Sequence, residues 1–341
     1  MTVVTFGEIM LRLSPPGFER FFQSSTLSAT FGGGEANVAV SLAQFGVDSV
    51  YVTRVPAHAI GDAAVRALRA EGVRTDFVLR GGDRLGIYFA ETGASQRAST
   101  VIYDRARSAI SEIDPGTIDW AAIMRGASWF HVTGITPALG AAAATCTANA
   151  IAAAKAAGAR VSLDLNFRKK LWSPTQARAV MRPLVANVDV VIANEEDIQA
   201  TLGIDVEGSD VTAGSLDLGA YERTAQRVSS EIGPPVVAIT LRESESASDN
   251  GWSALLWDAS TNTFHRGQRY DVRLVDRIGG GDAFAAGLIY GFITGRTPAA
   301  ALRFGVAAGA LKQTIPGDFN RVSVGEVDRL AEGDASGRVQ R

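Results

Sequence analysis

Asp276-Arg277-Ile278-Gly279-Gly280-Gly281-Asp282-Ala283-Phe284-Ala285-Ala286-Gly287 is the run around which this chain is organised. Three glycines run into an aspartate, and a helical pattern starts at once, with Phe284, Leu288 and Phe292 spaced four apart on one face. Without Cβ atoms, the backbone N–H groups of Gly279, Gly280 and Gly281 can close on a ligand. A helix start leaves its first amides unpaired and its positive dipole end exposed, which makes an anion site suited to phosphate. Asp282 puts a carboxylate beside that anion. Repulsion there is tolerable if the aspartate has chemistry to perform, such as taking a proton from an attacking hydroxyl. A glycine-rich turn with Asp282 as N-cap explains the same residues. Taken alone, the stretch leaves both readings open.

The 341-residue chain is 46% hydrophobic and 20% charged, enough for one large α/β domain or two ordinary ones. With a net charge of −3 and scattered Lys and Arg, no basic stripe offers itself to nucleic acid. The single cysteine, Cys146, lies in an alanine-rich run and reads as a small core residue. The first residues read as a strand rather than a secretory signal, and no uncharged run of about 18 residues has the character of a membrane span. A cytoplasmic protein without a membrane partner is expected.

In chain order, residues 3–6 form a strand, residues 9–14 follow, and Pro15-Pro16-Gly17 breaks the pattern. Phe31-Gly32-Gly33-Gly34-Glu35-Ala36-Asn37 is a second glycine cluster opening a helix, which buries Val38, Leu42 and Phe45 and ends at Gly46. A strand at 49–53 and a helix at 62–71 complete a βαβ rhythm, implying a parallel sheet covered by helices. The rhythm breaks at 85–91 and 99–105, two strands with no helix between them, read as a lid or dimerisation flap. Alternation along the second puts Tyr103, Arg105 and Arg107 on one face.

Alternation resumes with a strand ending at His131-Val132-Thr133-Gly134, an alanine-rich helix closed by Gly158, and a strand at 160–166. Ser173-Pro174 caps a helix, and Asn194-Glu195-Glu196-Asp197 starts another after a strand at 188–193. A helix at 218–232, a strand at 236–241, a hairpin at 252–265 and a helix at 298–314 follow. The economical organisation is one domain over 1–335, with a lid from about 10–31 and 84–107 and a tail at 336–341.

In an open parallel sheet, ligands bind outside the carboxyl ends of the strands. The segments 32–37, 166–168, 194–197 and 279–282 all fall at such ends, and this coincidence favours a catalytic Asp282. Neither a P-loop nor the common dinucleotide fingerprint occurs, and His58, His131 and His265 stand without metal-ligand spacing. Phosphoryl transfer, which needs positioning, a cation and electrostatic support, remains.

Gly33-Gly34-x-x-Asn37 and Asp276-Arg277-Ile278-Gly279-Gly280-Gly281-Asp282 resemble the two signatures of the ribokinase-like carbohydrate kinases, and the order of elements is similar over nearly the whole chain. Leu85-Gly86-Ile87-Tyr88, Tyr103-Asp104-Arg105, the run from His131 to Leu139 and Asp164-Leu165-Asn166-Phe167-Arg168 resemble the 2-keto-3-deoxygluconate kinase branch. The resemblance implies an α/β, Rossmann-like, mostly parallel sheet with a small β-sheet lid. It implies Asp282 as base, with the 279–282 amides as anion hole. Gly33, Gly34 and Asn37 would hold sugar hydroxyls; Tyr88, Tyr103, Arg105, Arg168 and Asp318 would contact the remainder of a sugar acid. Asn166, Arg168, Asn194, Thr240, Arg242, Gly279 and Gly281 would meet ATP. Asn194 and Asp197 would place Mg²⁺ through water, and a monovalent cation is a further candidate.

Independently, tyrosines beside arginines suit a carboxylate, which Arg can bind bidentately, so an acidic sugar fits better than ribose or fructose. Three departures from the family pattern stand out: Gly280 for alanine, Arg277 for threonine, and Asp197 for glutamate. The segment 240–250 lacks the usual glycines, and reads equally as a nucleotide contact or an exposed loop. Other acceptors, including 2-keto-3-deoxygalactonate, and a non-catalytic sugar-binding protein are the alternatives. Free strand edges on the lid predict a homodimer or higher assembly.

Overall fold

The computed structural model describes residues 1–205 and 217–337; of the expected tail, residues 338–341 lie outside the described residues. Edge to edge, the main sheet runs Thr263–Arg266, Asp249–Asp258, Val236–Ser244, Val190–Ala193, Arg160–Asp164, Ala127–Thr133, Thr2–Phe6, Asp48–Val55 and Val78–Arg80. From Val236–Ser244 to Val78–Arg80 every pairing is parallel, while Asp249–Asp258 is antiparallel to its neighbours. Tyr270–Arg273, a strand absent from the sequence reading, also pairs with Asp249–Asp258.

The almost wholly buried strands Val190–Ala193 and Ala127–Thr133 reflect a sheet covered on both faces. Phe6, Val52, Phe130, Met181 and Tyr221 pack on one side; Val38, Leu42, Trp129, Phe284 and Phe304 pack on the other. Cys146 is buried in the first of these cores, as its surroundings suggest. His131 is fully buried with Nδ1 against Ser162 Oγ at 2.8 Å, and burial drives its pKa down to about 3. It is a neutral core residue.

Thr2–Phe6 pairs with Asp48–Val55 on one side and Ala127–Thr133 on the other, so the chain leaves this strand in both directions. That reversal opens a crevice at the carboxyl ends, where Gly7, Thr133 and Asp164 sit. Helices Gly34–Gln44 and Gly280–Ile293 pack together and point their first turns at the crevice. Gly280–Ile293 packs closely on Pro298–Lys312: a Cβ on Gly287 would lie 2.8 Å from Gly305 Cα, and one on Gly291 2.5 Å from Ala301 Cβ. Small residues at these crossings hold the glycine–aspartate turn against the sheet.

A second sheet, ordered Ser28–Gly32, Met10–Ser14, Gly86–Glu91, Thr100–Asp104, lies beside the crevice. Its last strand stops at Asp104. Arg105 and Arg107 therefore lie beyond it and share no strand face with Tyr103: Arg105 is buried, and Arg107 has φ +54° and pairs with exposed Glu112 at 3.1 Å. The alternation argument fails there because the strand ends before it reaches those residues. The segment 240–250 is likewise a hairpin rather than a loop, with the first strand running to Ser244 and the return beginning at Asp249.

Glu35 pins the first glycine helix in place. Its Oε1 accepts from Thr133 N at 2.9 Å, Thr133 Oγ1 at 2.8 Å and Thr136 Oγ1 at 2.7 Å. Burial pushes its pKa up to about 7 against those hydrogen bonds. Glu35→Ala leaves three donors without an acceptor and should cost at least about 2 kcal/mol in urea unfolding, with Glu35→Gln losing much less. Equal stability of the two variants would contradict this docking role.

Candidate active site

Gly279 is the N-cap of helix Gly280–Ile293, with φ +86° and no side-chain cap. Its left-handed backbone favours glycine, and a Cβ would stand 2.2 Å from Asp318 O. Gly280 N donates to Arg277 O at 3.3 Å and Ala283 N to Gly279 O at 2.9 Å. Among the described residues nothing accepts from the N–H groups of Gly281 and Asp282, the orphan donors of a helix start. A Cβ on Gly281 would meet nothing within 4 Å, so this backbone faces open space.

Asp282 lies in the first turn and does not cap the helix. Its Oδ2 accepts from Asn37 Nδ2 at 2.7 Å, and Asn37 Oδ1 accepts from Gly33 N at 3.3 Å. The two glycine clusters are thereby joined side chain to side chain. Desolvation lifts Asp282 to a pKa of about 6; Asp318 adds to the rise, while the Asn37 hydrogen bond, Arg168 and Lys312 oppose it. A carboxylate so poised is mostly ionised at neutral pH yet basic enough to accept a proton.

A cavity of about 290 Å³ opens over this carboxylate. It is lined by Gly33, Gly34, Asn37, Tyr88, Tyr103, Arg105, Asn166, Arg168, Asn194, Asp197, Thr240, Arg242, Gly279, Gly281, Asp282 and Asp318. Gly280 sits beneath it, where a Cβ would crowd Gln313 Cγ at 2.9 Å. A wider cleft of about 890 Å³ adjoins, sharing Tyr103, Arg105, Arg168 and Asp197 and adding Lys169 and Lys170.

Tyr88 and Tyr103 are directly paired across Gly86–Glu91 and Thr100–Asp104, with ring centroids 5.9 Å apart. Tyr88 Oη donates to Asp318 at 2.6 Å. Arg12 bridges Asp318 at 2.7 Å and Asp276 at 2.6 Å, all three buried. Arg105 is buried in an ion pair with Glu8 and stacks its guanidinium 5.5 Å from the Tyr103 ring centre, while its Nε has no partner. Arg168 has no carboxylate partner among the described residues; it donates only to Phe167 O at 3.1 Å.

On the opposite side, Asn194 caps helix Glu195–Leu202 by accepting from Asp197 N at 2.8 Å and donates to Asp197 Oδ2 at 2.9 Å. Burial raises Asp197 to a pKa of about 7. Asp164, at the end of its strand, is raised by burial and by the charges of Asp197 and Asp282. Desolvation and the neighbouring Arg277 push Arg242 down, with Arg168 adding to the effect, so three arginines share one region. Thr240 Oγ1 donates to Ala193 O at 3.3 Å.

These oxygens suit a hydrated Mg²⁺: Asp164 and Asp197 supply buried carboxylates, but no group of three acidic, His or Cys side chains forms a closed cage among the described residues. The sequence reading missed Glu8, Arg12, Asp164 and Lys312 as members of the site. Asp164 and Glu8 carried a signal, since each follows or ends a strand at its carboxyl end. Arg12 and Lys312 carried none, because strand and helix patterns give no clue to a buried charge partner.

The pfkB family carbohydrate kinase model matches residues 2–320. The chain is 32% identical to a Haloferax volcanii protein named 2-dehydro-3-deoxygalactonokinase, covering 98% of both chains. It is 30% identical to the Bacillus subtilis 2-dehydro-3-deoxygluconokinase, over 94% of this chain and 92% of that one. A solved Thermotoga maritima structure named 2-dehydro-3-deoxygluconokinase superposes with a TM-score of 0.93 at 49% identity, covering 98% of this chain and 100% of that one. No helix among the described residues is long and apolar enough to cross a membrane. With its two glycine clusters meeting at the carboxyl ends of a mostly parallel sheet, this chain belongs to the pfkB family of carbohydrate kinases, phosphotransferases that use an alcohol group as acceptor.

Proposed function

We propose that this kinase transfers the γ-phosphoryl group of ATP to the terminal hydroxyl of 2-keto-3-deoxygluconate, giving the 6-phosphate. The observation that carries the reading is the shared cavity: the Asp282 carboxylate and the free amides of Gly281 and Asp282 face the same space as Tyr88, Tyr103, Arg105 and Arg168. Asp282, aimed by Asn37, takes the hydroxyl proton as the oxygen attacks the γ-phosphorus. The bond from that phosphorus to the bridging oxygen breaks, and its electron pair leaves with ADP. The free amides stabilise charge on the phosphoryl oxygens where the helix dipole already favours it. Asn194 and Asp197, with Asp164 beside them, would hold Mg²⁺ through water, which would supply charge neutralisation when bound. Arg168, Arg242 and Arg277, which form no ion pair among the described residues, are cations placed toward the phosphates.

At the other end, the acid group of the sugar meets Arg168 and the partner-free Nε of Arg105, with the tyrosine hydroxyls beside them. Because Arg105 already neutralises Glu8, Arg168 carries the larger share of acid recognition. The Haloferax relative supports 2-keto-3-deoxygalactonate as a second acceptor, which differs only in one hydroxyl configuration. The small sheet acts as a lid and, through its outer strands and exposed Ile102, as the face of a homodimer. A monomer by light scattering would remove the dimer.

Asp282→Asn should lower turnover at least about a thousandfold while both substrates still bind by calorimetry. Near-normal turnover would defeat the assignment. The same variant should be at least as stable as the parent at neutral pH. The folded-state pKa of Asp282 lies above its usual value, so its contribution to stability is present in acid and lost as pH rises through about 6. A variant less stable at pH above 7, by thermal unfolding, would contradict that sign.

Acid recognition is tested by Arg168→Met and Arg105→Met on a panel holding both 2-keto-3-deoxy acids, fructose and ribose. Arg168→Met should cost about 2 kcal/mol or more in kcat/KM on the acids beyond whatever it costs on fructose and ribose through the phosphates. Unchanged activity on the acids would point to a neutral acceptor.

A further inference from the structure

Lys312, the last residue of helix Pro298–Lys312, is fully buried. Among the described residues it forms no ion pair: its Nζ donates to two main-chain carbonyls, Asp276 O at 3.3 Å and Ile315 O at 3.2 Å. These belong to two loops that are otherwise zipped together, with Val275 N and Asp276 N donating to Gln313 O and Gly317 N donating to Asp276 Oδ2. The ammonium therefore lies directly under the phosphate loop, and a Cβ on Gly279 would approach Lys312 Cε at 3.1 Å.

A buried, unpaired ammonium is costly, and a helix end could have been closed by any apolar residue. The groups facing Lys312 explain its presence. Asp276 lies on the loop before the helix, Asp318 on the loop after Ile315, Asp282 in the helix's first turn, and Arg12 reaches in from the small sheet. Three carboxylates against one guanidinium leave the cluster short of positive charge. Burial lowers the Lys312 pKa, while Asp276 and Asp318 draw it back up. Carbonyl oxygens around a cation are also the coordination that potassium or ammonium takes in proteins.

We propose that Lys312 is a tethered cation: a positioning residue whose ammonium occupies a carbonyl-lined monovalent-cation site, so that the enzyme holds its anion-hole loop in shape without a free ion. This inference rests on the phosphate-loop reading above and deepens it. The amides of Gly281 and Asp282 keep their direction because Lys312 ties Asp276 O to Ile315 O behind them. Its charge also opposes the rise in the Asp282 pKa.

The test compares the wild type, Lys312→Ala and Lys312→Met in potassium chloride and in tetramethylammonium chloride of equal ionic strength. The wild type should turn over equally in both salts. Lys312→Ala, which vacates the site, should lose at least about tenfold in kcat in tetramethylammonium and recover most of it in potassium or ammonium. Its unfolding temperature should rise with potassium while that of the wild type does not. Lys312→Met fills the space with an apolar chain and should show the loss without rescue. Wild-type turnover that requires potassium, full activity of Lys312→Met, or a folded Lys312→Ala blind to potassium would each overturn the proposal. If Lys312→Ala does not fold, the wild-type and Lys312→Met results decide it. The potassium-dependent unfolding shift needs no sugar, so a wrong acceptor and a wrong role for Lys312 give different results.

Discussion

A carboxylate held at the open amino end of a helix is the arrangement on which the rest of this structure depends. Ordinarily an acidic side chain there turns back to satisfy the first amides of its own helix. Here the left-handed Gly279 starts the helix instead, and Asp282 reaches sideways to Asn37. Carboxylate and free amides then face one cavity, the first able to take a proton and the others able to receive negative charge. Bringing both functions together requires glycine where backbone meets backbone, which is why Gly279 clears Asp318 O so narrowly.

Such a site concentrates charge in a poorly hydrated place, and the surrounding residues answer it. Desolvation raises Asp282, Asp197 and Asp164 together. Arg12 and Lys312 supply compensating cations below the loop, and Arg168 does so inside the cavity. Buried pairs of this kind add little net stability, because desolvation offsets much of the attraction; removing one partner is what costs. Their consequence here is connection. Arg12 and Tyr88 of the small sheet grip Asp318 and Asp276, so the sheet that carries the tyrosines is fastened to the loop that leads into the free amides of Gly281 and Asp282.

The alternation of strands and helices was legible because it is written in local patterns. Ser173 caps the helix that Ser173-Pro174 announces, adding a capping box with Gln176, and helix Leu218–Ile232 has the limits its periodicity gives. The glycine clusters were legible for the same reason, with Gly32, Gly33, Gly279 and Gly280 each standing where a Cβ would clash. Edges were harder to read: pairing to Asp249–Asp258 extends Val236–Ser244 beyond its apolar run, and the strand before Arg107 stops early. Glu8 and Arg105, far apart in the chain, meet only through the folding of the small sheet against the first strand. No spacing in the sequence encodes that pairing, nor the reach of Lys312 to Asp276 O.

On the proposed reading Asp282, tuned by its surroundings, is the proton acceptor, and the pH dependence of kcat/KM for the wild type and for Asn37→Ala tests it. Activity should fall as pH drops through about 6, where the carboxylate becomes protonated, and removal of the Asn37 hydrogen bond should move that limb to higher pH. A profile that stays flat on acidification, or a limb that ignores the loss of Asn37, would contradict the account.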